Sequence, residues 1–145
     1  MTTNTSILTR LEWALYFIDL GWWVFRLRPK SKIPMDAGGF SNATNDKEVA
    51  TRWWTERPDA NIGIATGAIS GFDVLDIDSP EALAELEEAY GALPVTVEAQ
   101  TGGKNRGLHK LLQHIDGMKC STGKLIDKVD VRADGGYIVG AGSFV

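Results

Sequence analysis

Cysteine is almost absent: Cys120 stands alone in 145 residues, so no intrachain disulfide can form and a reducing cytoplasm is the expected compartment. Histidine is nearly as scarce, with only His109 and His114, and one thiol with two imidazoles excludes a Cys-rich structural zinc site. No apolar run approaches the ~18 residues of a transmembrane helix, and no signal-peptide pattern opens the chain, so no membrane association is expected. A positive excess is missing too. The formal net charge is −4, the wrong sign for a protein that binds by covering phosphates with lysine. A site that collects Mg²⁺ must itself be acidic, however, so this balance leaves nucleic acid open as a partner. Neither Gly-x-x-x-x-Gly-Lys-Ser/Thr nor Gly-x-Gly-x-x-Gly after a strand is present, which excludes P-loop and Rossmann nucleotide sites. There is no internal repeat, low-complexity tract or interdomain linker. One domain over residues 1–145 is expected, long enough to bury its own core.

What is present reads as short elements in a definite order. Ile7, Leu8, Leu11, Leu15 and Ile18 recur at helical spacing, with Ser6 as a cap and Gly21 as a stop. Trp22 to Leu27 reads as a buried strand, and a long loop from Arg28 to Asn45 follows. Asn45 and Glu48 resemble a reciprocal cap on a helix running to about Trp54. Strands are expected at Asn61–Ala65 and Phe72–Ile77, then a helix from Ser79-Pro80 to Tyr90 closed by Gly91. Four more strands follow, at Thr96–Gln100, Leu108–Gln113, Val129–Arg132 and Tyr137–Val139. Early helices and late strands favour an α+β domain over a regularly alternating sheet. The tryptophans fit the core, including at least one of Trp53 and Trp54. The ending at Gly142-Ser143-Phe144-Val145, just after a strand, reads as a segment of something longer.

The strongest chemical signal is Phe72-Asp73-Val74-Leu75-Asp76-Ile77-Asp78. Residues two apart on a strand share a face, so Asp76 and Asp78 project together while Leu75 and Ile77 face the core and Asp73 points away. Carboxylates held side by side repel unless a cation or proton lies between them. Mg²⁺ or Mn²⁺ suits such oxygen ligands, and two ions ~4 Å apart can drive in-line displacement at phosphorus. The structural alternative is that Asp78 begins a turn and Asp76 is a solvated strand residue. Asp130, in Val129-Asp130-Val131-Arg132, supplies a third carboxylate if its strand lies beside the first; a local ion pair with Arg132 is the competing role.

Two basic stretches bear on anion binding. Thr101-Gly102-Gly103-Lys104-Asn105-Arg106-Gly107-Leu108-His109-Lys110 combines glycines with positive charge. Lys104, Arg106, Lys110 and His109 are therefore candidates for a triphosphate, against the alternative of a plain basic hairpin. Arg26, Arg28, Lys30 and Lys32 either grip template or nucleotide phosphates or form a solvated rim.

In order and spacing, these segments resemble the N-terminal primase-polymerase domain of the archaeo-eukaryotic primase superfamily, found in plasmid, phage and mobile-element replication proteins. The resemblance runs from about residue 14 onward. It is carried by Gly21-Trp22-Trp23-Val24-Phe25, Lys32-Ile33-Pro34, Gly39-Phe40-Ser41-Asn42-Ala43-Thr44, Arg52-Trp53-Trp54 and Asn61-Ile62-Gly63-Ile64-Ala65-Thr66-Gly67. Leu75-Asp76-Ile77-Asp78, the Thr-Gly-Gly region ending at His109, Val129-Asp130-Val131-Arg132 and Gly135-Gly136-Tyr137-Ile138-Val139 complete it. The resemblance implies a palm with an RRM-like sheet joined to an N-terminal α/β unit. It implies Asp76, Asp78 and Asp130 as metal-binding catalytic carboxylates and His109 as a contact to the incoming nucleotide's phosphates. The implied partners are a single-stranded DNA template, nucleoside triphosphates and a helicase domain in the parent protein. The implied reaction is template-directed nucleotidyl transfer, with release of pyrophosphate.

Three departures qualify the match. The family's second motif usually runs Thr-x-Ser-Gly-Gly-x-His, whereas Thr101 and His109 are farther apart and no serine precedes the histidine. Either the insert Lys104-Asn105-Arg106 replaces the missing contacts or nucleotide binding is weakened. Gly140-Ala141-Gly142-Ser143 stands where a Pro-Pro-Ser run is common, and the family's usual final strands do not follow. The competing functions are a non-catalytic nucleotide or single-strand binding module and a metal-dependent phosphohydrolase using the same carboxylates.

Overall fold

The computed structural model describes residues 8–93, 98–100, 107–123 and 127–145. The architecture is α+β, and every strand pair among the described residues is antiparallel. The chain forms two compact units, residues 1–65 with 137–145 and residues 66–136. No helix among the described residues is long and apolar enough to cross a membrane.

In the first unit, helix α1 spans Arg10–Asp19. Its start is set by a capping box: Thr9 Oγ1 accepts from Glu12 N at 3.1 Å while Glu12 Oε1 accepts from Thr9 N at 2.9 Å. The cap predicted at Ser6 lies outside the described residues. Ala14, Phe17 and Ile18 are the buried face; of the expected stripe Ile18 is buried, while Leu11 and Leu15 are half-buried. Helix α2, Lys47–Glu56, is capped by Asp46, whose Oδ1 accepts from Glu48 N at 2.8 Å. The predicted Asn45–Glu48 cap is thus displaced by one residue. Trp54 reaches the core, 1% exposed, with its indole N–H donating to Ala60 O. Trp13, Trp22 and Trp23 are only half-buried.

Strands β1 (Val24–Leu27) and β2 (Asn61–Ala65) are buried along their whole length and pair with each other. The sheet is completed from the far end of the sequence by Tyr137–Val139, which pairs with the other side of β2. Gly63 sits opposite Phe25, and a Cβ there would lie 2.6 Å from the Phe25 ring, so only glycine admits the ring at this point. The long loop contains a short 3-10 helix at Gly39–Asn42. It is tied down by Arg26, which is 8% exposed. That guanidinium meets both oxygens of Asp36 at 3.1 Å and Glu56 Oε1 at 2.7 Å, and lies over the Trp53 ring. Burial opposes its charge, but the hydrogen bonds and charges of Glu56 and Asp36 raise its pKa further. Arg26 is therefore a structural ion pair, not a phosphate grip; Arg28, Lys30 and Lys32 remain exposed.

The second unit is built on β3 (Phe72–Ile77) and α3 (Pro80–Tyr90). Ser79 Oγ accepts from Ala82 N at 3.1 Å, Pro80 occupies the first turn and Gly91, at φ +89°, ends the helix. Strand β4 is Glu98–Gln100, β5 Leu108–Gln113, β6 Ser121–Thr122 and β7 Val129–Arg132; Tyr137–Val139 of the first unit is then β8. The order is β4-β5-β3-β7-β6. Because β5 is antiparallel to both β3 and β4, β3-α3-β4 is a split β-α-β unit with β5 inserted. Leu75 and Ile77 pack against Ala82 and Leu86 of α3 and against Val129 and Val131. The other face of β3 carries Phe72, Val74 and Asp76.

Candidate metal and nucleotide site

Strand register assembles the site. Asp76 on β3 stands directly opposite Asp130 on β7 and, on its other flank, opposite His109 on β5. Side chains opposite one another in adjacent strands share a face, so three ionisable groups from separate sequence segments form one row. The two carboxylates are constrained differently at their outer oxygens. Asp76 Oδ1 lies 3.4 Å from His109 Nε2, and Asp130 Oδ1 accepts from Gly123 N at 3.2 Å. Their inner oxygens turn toward one cation. Arg132 Nη2 is 3.5 Å from Asp130 Oδ2 and 3.9 Å from Asp76 Oδ2.

The remaining expected residues are distributed unevenly. Asp78 follows β3, exposed, with its N–H donating to Lys128 O at 3.0 Å. Among the described residues no three His, Cys, Asp or Glu side chains are close enough to cage a metal, so Asp78 does not close a set with Asp76 and Asp130 in this geometry. Lys110 is on the wrong face. It stands opposite Leu75, 7% exposed, with Nζ 3.2 Å from Glu98 Oε2. Neighbouring positions on a strand cannot both face the carboxylates, so His109 excludes Lys110 from the row. Lys104 and Arg106 lie outside the described residues.

The donor chemistry fits a hard divalent ion. Two carboxylate oxygens converge on a position already taken by positive charge, and Mg²⁺ commonly uses one or two carboxylates and completes its shell with water and phosphate. Asp76 and Asp130 would hold such an ion, with Asp78 just beyond the end of β3. The sequence names these residues as candidates but not the contact of Arg132 with Asp76, because that contact depends on the β3–β7 register. Its only visible signal was the two-residue spacing from Asp130.

Asp73, on the helix face, belongs to a separate cluster. Its carboxylate meets His114 Nδ1 at 2.8 Å and accepts from Ile115 N at 3.1 Å, while His114 Nε2 lies 3.7 Å from Asp134 Oδ1. The hydrogen bond to Asp73 raises the His114 pKa, against burial, with Asp134 and Asp116 adding to the rise.

Residues 14–145 match the family described as bifunctional DNA primase/polymerase, N-terminal. The chain belongs to that family. No curated protein matches it. As a primase/polymerase domain it falls among nucleotidyltransferases whose substrates are DNA and nucleotides and which generally depend on a divalent metal. The carboxylate row therefore lies in a chain of the class that needs one.

Proposed function

We propose that residues 1–145 form one catalytic domain that performs template-directed nucleotidyl transfer in plasmid, phage or mobile-element replication. The convergence of Asp76 Oδ2 and Asp130 Oδ2 on a single cation carries this reading. The 66–136 unit serves as the palm. Its strand order without β6, β4-β5-β3-β7, is the order of an RRM-like sheet, and its split β-α-β unit supports the same reading.

In this mechanism Asp76, Asp78 and Asp130 would hold the two divalent ions, whose charge, when bound, would neutralise the triphosphate and polarise the attacking hydroxyl. The chain's own residues position the reactants. The 3′-hydroxyl oxygen bonds to the α-phosphorus as the bond from that phosphorus to the oxygen bridging to the β-phosphate breaks; the hydroxyl proton passes to water and pyrophosphate leaves. His109, at the edge of the carboxylate row, donates from its imidazole to a phosphate oxygen. The Gly123 N–H fixes the Asp130 carboxylate so that Oδ2 stays turned toward Asp76.

The test is synthesis on a single-stranded template with labelled nucleotides and Mg²⁺ or Mn²⁺. Asp76→Asn and Asp78→Asn are each expected to lower product by more than the ~10–100-fold that outer-shell changes cost. Their thermal melts should match wild type, because removing a carboxylate relieves repulsion. Loss of folding in both would make the pair structural. Retained triphosphate or single-strand binding without product at any metal concentration would indicate a binding module. Phosphate release without chain growth would indicate a phosphohydrolase.

A further inference from the structure

Arg132 is the one cation between the two inner carboxylate oxygens among the described ion pairs. It projects from β7 on the face it shares with Asp130 and is 38% exposed on its side chain, so it has room to leave. Asp76 and Asp130 stand directly opposite across β3 and β7, where like charges destabilise a sheet. Both outer oxygens are occupied, one by His109 and one by the Gly123 N–H. The inner pair is therefore the position where a cation gains most, and the guanidinium already fills it.

We propose that Arg132 is a built-in counter-cation that a divalent ion must displace, so that loading the site exchanges the guanidinium for the metal. The inference rests on the reading of Asp76 and Asp130 as metal ligands and adds a regulatory cost to it. A guanidinium and a divalent ion cannot both lie within ion-pair distance of the same two oxygens without strong repulsion. Arg132 thus stabilises the sheet before metal arrives and weakens the apparent affinity for metal. The site then fills at higher divalent concentrations than its carboxylates alone would require.

The test is Mn²⁺ binding by calorimetry to the full chain without nucleotide, together with melting with and without saturating Mn²⁺. Arg132→Met is expected to bind Mn²⁺ about two- to fivefold more tightly, the range of a partly exposed ion pair. Metal-free R132M should melt below wild type, and saturating Mn²⁺ should close that gap. Arg132→Lys, which keeps the charge but loses the planar fork, should bind more tightly than wild type and less tightly than R132M. It also decides the matter if R132M does not fold. Unchanged or weaker Mn²⁺ binding by R132M, or R132K equal to wild type, would overturn the exchange. So would a melting gap that survives saturation, the mark of a purely structural arginine. Asp76→Asn separates the two levels. If it abolishes Mn²⁺ binding while R132M changes nothing, the exchange alone fails; if it binds Mn²⁺ like wild type, the metal-site reading fails as well.

Discussion

A carboxylate's role here is decided by what holds each of its oxygens. Asp76, Asp130 and Asp73 are all acidic strand residues, yet only the first two present an oxygen to a shared cation position. Asp73 spends both of its oxygens on His114 and Ile115. His109→Ala should raise the nucleotide KM several-fold while leaving the melting temperature nearly unchanged, because among the described residues its imidazole makes one weak contact, at 3.4 Å. Equal kinetics in steady-state nucleotide titrations would remove it from the site. His114 is the opposite case. Its pKa is raised in the folded state, so its stabilising contribution is fully present below about pH 6.5 and is lost as pH rises through the raised value. Denaturation of wild type and His114→Gln should therefore differ more at about pH 5.5 than at about pH 8.5; a pH-independent difference would contradict the ion pair. Charge alone misled the reading of Arg26 and Lys110. Both are cations in the right neighbourhood of the sequence, and both prove to be buried against carboxylates of their own.

At the level of elements, legibility followed the presence of local signals. Ser79-Pro80 and Gly91 delimited α3, and β3, β5, β7 and β8 had the expected bounds because each alternates or packs within its own few residues. The starts of α1 and α2 were misread where two capping residues competed. Thr9 with Glu12 and Asp46 with Glu48 make the actual bonds. Strand β6 was not foreseen, since Ser121–Thr122 has no pattern of its own and exists by pairing with β7. The site itself was half legible. Asp76 and Asp78 are candidates from strand period alone, but the adjacency of Asp76 to Asp130 and His109 is a matter of register between distant segments. Register also explains Gly63, whose only requirement is the Phe25 ring opposite. Gly63→Ala should destabilise the chain by about 1–3 kcal/mol through overpacking, read from urea denaturation; wild-type stability would show that the ring can yield.

The whole molecule joins a first unit whose sheet is completed by β8 to a second unit that contains the carboxylate row. A net charge of −4 gives the chain little general attraction for DNA, so under the proposed function engagement of a polyanion at an acidic row would depend on bound divalent cations. That dependence is the central claim. It is tested most directly by a crystal structure of the full chain with Mn²⁺ and a non-hydrolysable nucleoside triphosphate. Manganese anomalous density is expected between Asp76 and Asp130, about 2.1 Å from an oxygen of each, with triphosphate oxygens completing the shell. Manganese elsewhere, or Arg132 still bridging the two carboxylates beside a bound nucleotide, would contradict it.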